Sequence, residues 1–436
     1  MGAINKKILL LSTGDINGAY EAIYKVSYFL QKNDYQVAML VKNKTRTDAF
    51  VYSYSDYQLQ IVPVFFRYLS IFVNKVKTKF FTKKNVYDSK YAFISTDETT
   101  RNISPKIIIE QIGFVPDFIF TGMTDNFLNS TDLLALQQFT KAHVYNITVD
   151  MNHFTGGCHF AWDCDGYIKG CTDKCPAILT SSDRNRAKIN FETKLKNAQL
   201  GQFKIIAGSG WTLDQARKSL IYKKQGTIFN VNSIIDVDLF TPKNRSFAKK
   251  IFNLEEGKFY ILMGCQNANE TRKGFEYLLG ALQILEKNLT LVQKDKIEVL
   301  IVSRTIANDF SKIPFAKKHI EYIKDYRLLS LLYQAADVFV NSSIEDSGPM
   351  MVSEALACGT PVVGFDMGVV SNMVISNYNG YKAILKDSAD LSKGIHTIFS
   401  LDLETYEEYS KNAVEQVKTY SSFQYVKNVI DQITVT

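Results

Sequence analysis

Two carboxylates near the C-terminal end of the sequence, Asp346 and Glu354, stand eight positions apart on either side of a Gly-Pro pair. If a helix begins just after Gly348, Asp346 lies at its start, and Glu354 lies about two turns further along the same face. The first free amides of that helix would belong to Met350 and Met351, with the positive end of the helix dipole behind them. A phosphate or a sugar hydroxyl would bind there, and the two carboxylates would accept hydrogen bonds from polyol hydroxyls.

The flanking residues supply the elements that must position these groups. Apolar runs of strand length precede and follow them, at 337–340 and 360–365. Pro349 suits the first helical position, because its missing N–H would have no intrahelical partner there, and Gly359 ends the helix. The stretch therefore predicts a strand, an anion-binding turn, a short helix and a second strand. The alternative is an ordinary strand–helix–strand unit in which Glu354 is merely solvated.

The spacing Asp346-x7-Glu354, followed by Ala-Leu-Ala-Cys-Gly-Thr-Pro-Val-Val, resembles the donor-site signature of glycosyltransferase family 4. Members of that family are retaining nucleotide-sugar transferases with the GT-B fold. The resemblance implies that Glu354 binds the ribose of the nucleotide and that Asp346, with the amides that follow it, binds the transferred sugar. Glu345 stands beside Asp346, but the register of the motif favours Asp346.

A second part of the resemblance concerns the cations for the donor diphosphate. In relatives the lysine of an Arg-Lys-Gly sequence pairs with the diphosphate, and Lys273 matches it. An arginine that often joins it is replaced here by Cys265 and Gln266, so Arg272 or Arg304 would have to take its place. The alternative for Lys273 is a solvated lysine at the start of a helix.

Four of the six cysteines lie close together, at positions 158, 164, 171 and 175. In a reducing cytosol such a cluster favours metal binding over disulfides. Four thiolates suit a closed tetrahedral zinc site, although these spacings are wider than those of common zinc knuckles. A closed site performs no chemistry, so no catalytic metal is expected. Two disulfides or four free buried thiols are the alternatives to zinc at Cys158, Cys164, Cys171 and Cys175.

The same region carries a further resemblance. Thr155-Gly-Gly-Cys-His159 and a later Cys-Pro resemble a branch of family 4, the colanic-acid type, that builds bacterial surface polysaccharides. Those relatives often carry His-Asp ahead of this pattern, whereas here valine precedes Asp150, so the histidine seen near the transferred sugar is unmatched. Asp150 is retained at the end of an apolar run, and His153 or His159 could take the place of that histidine. As alternatives, each histidine could be a loop residue or lie beside the zinc.

The N-terminal end predicts an open parallel sheet. Apolar runs at 8–11 and 36–41 have the character of buried strands, and apolar residues at helical spacing follow Gly18. Ligands of such sheets bind beyond the carboxyl ends of the strands, which places Gly18 on that side. The resemblance implies that Gly18 lies near the donor phosphates, where relatives carry Gly-Gly; otherwise this glycine serves only a tight turn.

Length and composition fit two domains. With 436 residues, of which 46% are hydrophobic, the chain can fill two cores. The resemblance implies an α/β GT-B fold, with two doubly wound Rossmann-like domains facing a cleft and a C-terminal helix that crosses back. We predict an acceptor-side domain at 1–240 with a Cys-rich insertion at 150–176, a nucleotide-sugar-binding domain at 241–415, and a final helix at 416–436 that packs on the first domain.

The formal charge of +7 suits an anionic substrate or an anionic lipid surface. The stretch 64–84 mixes aromatic residues with five lysines and one arginine, which predicts either an amphipathic helix on a membrane or a surface helix packed on the sheet. No apolar run reaches the length of a membrane span, and the first residues lack the features of a signal peptide. We therefore expect a cytoplasmic protein, possible peripheral contact with the inner face of the membrane, and no nucleic acid partner.

The function implied by the resemblance is retaining transfer of a hexose from a UDP- or GDP-sugar to a glycan or lipid-linked acceptor in bacterial polysaccharide biosynthesis. Two rival functions would use the same fold. The chain could be a sugar-nucleotide epimerase or a phosphorylase, or it could be a non-catalytic partner subunit that binds the nucleotide sugar without turnover. The unmatched arginine and histidine motivate the second rival.

Overall fold

The computed structural model describes residues 6–61, 86–224 and 229–435, apart from residues 17, 34, 232 and 233. The chain divides into two compact units. The first comprises Met1–Ala207, Thr212–Asn230 and Gln432–Thr436, and the second comprises Gly208–Trp211 and Val231–Asp431.

The first unit is built on a sheet of seven parallel strands in the order β3-β2-β1-β4-β5-β6-β7. Its strands are β1 (Lys7–Ser12), β2 (Gln36–Val41), β3 (Val51–Ser53), β4 (Phe118–Thr121), β5 (His143–Thr148), β6 (Lys204–Ala207) and β7 (Phe229–Asn230). The helices along this part of the chain are α1 (Gly18–Lys32), α2 (Tyr54–Ile61), α3 (Pro105–Ile112), α4 (Ser130–Thr140), α5 (Gly166–Lys169), α6 (Arg186–Leu200) and α7 (Gly210–Lys218). The central strand β1 has a continuous apolar run at 8–11 that is fully buried, as expected where helices cover both faces of a sheet.

The strand order of the first unit reverses at β1. The chain runs outward from β1 to β3 on one side and then from β4 to β7 on the other. Ligands of doubly wound sheets bind at such a switch point, beyond the carboxyl ends of the strands. The loops that follow β1, β4 and β5 are therefore the positions in this unit at which a ligand is expected.

The second unit has the same design, with six parallel strands in the order β10-β9-β8-β11-β12-β13. Its strands are β8 (Phe259–Gly264), β9 (Ile297–Ser303), β10 (Ala316–Glu321), β11 (Val338–Asn341), β12 (Val362–Phe365) and β13 (Gly380–Ala383). Its helices are α8 (Arg245–Ile251), α9 (Phe275–Lys287), α10 (Leu291–Asp295), α11 (Tyr326–Ala335), α12 (Met350–Ala357), α13 (Val370–Met373), α14 (Ser388–Phe399), α15 (Leu403–Ser421) and α16 (Phe423–Val435). The switch point here lies between β8 and β11.

The prediction of parallel α/β domains is confirmed, including the strands at 8–11, 36–41, 337–340 and 360–365. Two local details differ from the prediction. Pro349 is the residue before α12, with φ −66° and ψ 112°, so the helix begins one position later than expected. The C-terminal segment forms two helices, since Ser422 adopts an extended conformation with φ −75° and ψ 163° between α15 and α16.

The basic stretch at 64–84 lies outside the described residues, and its predicted helix stays a prediction. Among the helices that the structure does describe, none combines the length and the apolar character needed to cross a membrane.

Candidate functional site

Asp346 lies in the loop after β11 and is almost fully buried. Its Oδ2 accepts a hydrogen bond from Arg272 Nη1 at 3.1 Å and another from Lys273 Nζ, while Oδ1 accepts one from the Gly348 amide at 3.4 Å. Burial alone would raise the pKa of this carboxyl, but the charges of Lys273 and Arg272 outweigh it and hold the pKa below its usual value. The carboxylate is therefore ionised, and it keeps two cations together.

Two loops bring these charges together at the switch point of the second unit. Arg272 and Lys273 lie in a short 3-10 turn after β8, which ends at Gly274 with φ +64°. A Cβ on Gly274 would stand 1.9 Å from the carbonyl oxygen of Ser342, so only glycine permits this approach. The Ser342 hydroxyl donates to the Lys273 carbonyl at 3.0 Å, and the Ile344 amide donates to the Arg272 carbonyl at 2.8 Å. The loop after β8 is thereby fixed against the loop after β11.

The N-terminus of α12 follows directly on this cluster. Pro349 gives the first turn no side-chain cap, and Met350 and Met351 are the first two helical residues. Gly348 packs closely, since a Cβ there would lie 3.1 Å from Val369 Cγ2. Amides at a helix start favour an anionic ligand, and they adjoin the two cations held by Asp346.

Glu354 lies on α12 and is only 2% exposed, so the solvated alternative does not hold. Its Oε2 accepts a hydrogen bond from the Tyr333 hydroxyl at 2.9 Å, and Tyr333 lies on α11. Burial, with the nearby Glu354 charge, raises the pKa of Tyr333 well above its usual value, so the phenol keeps its proton and stays a donor. Sequence reasoning does not predict this partner, because 21 positions separate the two residues and no local pattern joins them.

The structure separates the two candidates for the second phosphate cation. Arg272 lies beside Lys273 and Asp346. Arg304 is exposed after β9, with its guanidinium carbon 4.6 Å from the centre of the Tyr322 ring. Arg272 is therefore the arginine that accompanies Lys273.

In the first unit Asp150 lies just beyond β5 and forms a buried pair with His159. The Asp150 Oδ2 and His159 Nδ1 atoms are 2.6 Å apart, and Asp150 Oδ1 accepts from the Asn152 amide at 2.7 Å. Burial acts against both charges, yet each partner stabilises the other: the pKa of Asp150 is lowered and that of His159 is raised. The Nε2 atom of His159 is buried and has no hydrogen-bond partner among the described residues.

His153, the other candidate histidine, has a different environment. It lines a polar cavity of the first unit together with Glu98, Asp125, Asn152 and Lys194, among other residues. Desolvation lowers the pKa of His153 to about 4, so the ring is neutral near pH 7. Asp125 lines the same cavity, and burial raises the pKa of its carboxyl because it disfavours the charged form. The structure thus joins His159, and not His153, to Asp150 as a charged pair.

Gly18 begins α1 after β1 and has φ +49°. Nothing lies within 4 Å of the position that a Cβ would take. The residue therefore meets the conformational demand of a tight turn and also leaves open space beside the backbone.

The six cysteines are free thiols in the structure. As they stand, the side chains of the described ranges contain no group of three or more His, Cys, Asp or Glu residues placed to hold a metal ion. Cys158 nevertheless belongs to one buried cluster, against which Cys164, Cys171 and Cys175 pack.

Comparison with known proteins finds similarity to glycosyltransferases in the second unit. The model for "Glycosyl transferases group 1" matches residues 244–416. An uncharacterised glycosyltransferase of Methanocaldococcus jannaschii is 26% identical over 173 residues, which are 39% of this chain and 45% of that protein. An uncharacterised glycosyltransferase of Haemophilus influenzae is 27% identical over 195 residues, which are 43% of this chain and 51% of that protein. The matches thus span about half the length of these curated relatives.

Solved structures resemble the chain along nearly its whole length. Sucrose-phosphate synthase of Thermosynechococcus elongatus aligns with a TM-score of 0.61 at 16% identity, over 98% of each chain. Anabaena HepE in complex with UDP-glucose aligns with a TM-score of 0.60 at 13% identity, over 99% of this chain and 100% of the other. At this identity the likeness concerns the fold alone. The chain therefore has the two Rossmann-like domains of the GT-B fold, and its residues 244–416 resemble the group 1 glycosyltransferases.

Proposed function

We propose that the protein is a retaining glycosyltransferase that moves a hexose from a UDP- or GDP-sugar to a glycan or lipid-linked acceptor in bacterial polysaccharide biosynthesis. The observation that carries the proposal is the cluster of Arg272, Lys273 and Asp346 beside the start of α12. Two cations and two helix amides at a switch point provide the charge that a diphosphate needs.

The chemistry assigned to this cluster is electrostatic. When the bond between sugar and diphosphate breaks, negative charge grows on the leaving diphosphate. Lys273, Arg272 and the amides of Met350 and Met351 would stabilise that charge. Asp346 holds the two cations in position before the donor arrives, and it is the group we assign to the transferred sugar. Attack of the acceptor on the same face as the leaving group gives retention.

Glu354 is the residue we assign to the nucleotide ribose. A carboxylate can accept hydrogen bonds from two neighbouring hydroxyls, and hydrogen bonds to a charged acceptor are stronger than neutral ones. The Tyr333 hydroxyl fixes the orientation of Glu354 from α11. HepE, which shares this fold, binds UDP-glucose, and this supports a nucleotide-sugar donor.

For the first unit we propose contact with the acceptor or with the transferred sugar through Asp150 and His159. They lie beyond the carboxyl end of β5, where ligands of such sheets bind. Gly18 is the candidate for close approach to the donor phosphates. Peripheral contact with an anionic membrane at the cytoplasmic face stays a proposal that depends on the basic stretch 64–84.

The test is a turnover assay with purified protein, UDP- or GDP-sugars and bacterial glycan acceptors. A transferase releases free nucleotide in proportion to glycosylated acceptor, and an anomeric proton spectrum of the product reports retention. An epimerase converts the nucleotide sugar without acceptor, a phosphorylase requires phosphate, and a partner subunit binds without turnover. Any of these three results would contradict the proposal.

A further inference from the structure

Four thiols of the first unit converge in the segment between β5 and α6. Cys158 belongs to a buried cluster with Tyr91 and Phe93, and Cys164, Cys171 and Cys175 pack against that cluster. The chain thus brings together four sulfurs that are spread over 18 positions of sequence.

The distances around Gly166 show how close two of the sulfurs are. A Cβ at Gly166 would lie 3.3 Å from Cys171 Sγ and 3.4 Å from Cys164 Sγ. Both sulfurs therefore border the same small space. The remaining two thiols, Cys158 and Cys175, lie close enough to interact directly. Cys171 and Cys164 also lie within electrostatic range of Cys158.

Backbone amides lie near three of the four sulfurs. Gly166 lies near the Cys164 thiol, Gly156 near the Cys171 thiol, and Ala177 and Ile178 near the Cys175 thiol. A neutral thiol is a weak acceptor, whereas a thiolate that binds a metal is stabilised by such outer hydrogen bonds. Amides beside several neighbouring sulfurs are thus surroundings that suit metal-bound thiolates.

We propose that Cys158, Cys164, Cys171 and Cys175 together bind one zinc ion in a closed structural site. The four sulfurs stand near one another without forming a ligand group as they are, so binding has to draw them in to Zn–S distances of about 2.3 Å. The ion provides folding free energy and leaves no coordination position for an activated water. This inference goes beyond glycosyl transfer and does not depend on it.

The zinc site has a structural consequence for the Asp150–His159 pair. His159 follows Cys158 directly, and its amide donates to the Tyr91 carbonyl at 3.1 Å. The Met151 amide in turn donates to the His159 carbonyl at 3.2 Å. Fixing Cys158 on a metal therefore fixes the imidazole against Asp150, and loss of the metal should loosen the pair.

The test is the metal content of the full chain, purified without added zinc and measured by inductively coupled plasma mass spectrometry. We expect about one zinc per chain, because closed thiolate sites bind tightly at neutral pH. Cys164→Ser and Cys171→Ser should each reduce the zinc content at least tenfold and lower Tm. Cys358→Ser is the matched control, since Cys358 is a buried cysteine of the second unit that lies outside the cluster. The Cys358→Ser protein should contain as much zinc as the unchanged protein.

A second measurement uses the unmodified chain, so that a variant that fails to fold does not decide the outcome. Exchange of the metal for Co²⁺ should produce the sulfur-to-metal charge-transfer absorption of a thiolate site. Metal-free protein with four titratable thiols in the cluster would overturn the proposal, and so would two disulfides. Either result would leave the proposed transferase activity to be decided separately by the turnover assay.

Discussion

At the scale of single residues, the candidate site of the second unit depends on one carboxylate, Asp346, whose neighbours keep it ionised. Asp346 would be costly to bury alone, and Arg272 and Lys273 remove that cost. The sequence pattern was sufficient to select Asp346, Glu354 and Lys273 as candidates. It could not select Arg272 over Arg304, because the choice depends on how two separate loops meet in space.

Glu354→Ala should weaken nucleotide binding by about 1.5–3 kcal/mol, which is the range for hydrogen bonds to a charged group. Isothermal titration with the donor nucleotide measures this loss. Glu276→Ala is the control, since Glu276 is exposed on α9 and should bind as the unchanged protein does. Unaltered affinity in a folded Glu354→Ala protein would remove Glu354 from the site.

The histidines of the first unit predict a pH dependence of stability. The folded pKa of His153, about 4, lies below its unfolded value, so the unfolded chain takes up a proton first as pH falls through about 6.5. His153 therefore lowers the free energy of unfolding progressively as the pH falls from about 6.5 to about 4. His153→Gln removes this penalty. When the pH is lowered from 7.5 to 5, the unfolding free energy of the variant should therefore rise by about 2 kcal/mol relative to that of the parent.

His159 has the opposite sign and serves as the comparison for His153. Its pKa is raised in the folded state, so its stabilisation is fully present below the unfolded pKa and is lost as pH rises through the folded pKa. In His159→Gln the difference from the parent should therefore be largest at pH 5 and shrink at higher pH. Urea unfolding at the two pH values measures both variants, and equal pH profiles for the two would refute this assignment.

At the scale of elements, apolar runs and glycines made the strands and turns predictable, because a buried parallel strand has a near-continuous apolar sequence. The break at Ser422 was not predictable, since the apolar spacing around it continues through both helices. Tyr333 was also missed, because its role arises from packing of α11 on α12. The local sequence pattern thus predicts the helices and strands, whereas the contacts between them are seen only in the structure.

Gly274 allows the loops after β8 and β11 to approach each other at the proposed donor site. Gly274→Ala combines a positive φ with a contact of 1.9 Å to the Ser342 carbonyl oxygen. The loops after β8 and β11 must then separate, so we expect a loss of stability above about 2 kcal/mol and at least a tenfold loss of nucleotide affinity.

Gly257→Ala is the matched control for Gly274→Ala. Gly257 has φ +82°, but nothing lies within 4 Å of its Cβ position. This change should cost only the conformational strain, about 1–2 kcal/mol, and leave nucleotide affinity unaltered. Equal effects of the two substitutions on affinity would show that the close approach of the loops does not matter for binding.

At the scale of the whole molecule, two units of the same design carry different chemistry. The second unit presents cations, helix amides and a buried glutamate at its switch point, and the first presents a charged Asp–His pair and a cluster of thiols. The family model matches only the second unit. The predicted division near residue 240 and the acceptor role of the first unit stay predictions.

The most direct measurement of the central claim is a thermal-shift titration of the full chain with UDP-, GDP- and CDP-sugars, performed in parallel on Lys273→Ala. A ligand that binds only the folded state raises Tm, and it stabilises by about 2.7 kcal/mol at a hundred times its Kd. We predict that a UDP- or GDP-sugar raises Tm of the unchanged protein and that Lys273→Ala, although folded, needs at least tenfold more ligand for the same shift. If no nucleotide sugar raised Tm, or if Lys273→Ala responded as the parent does, the proposed donor site would be contradicted.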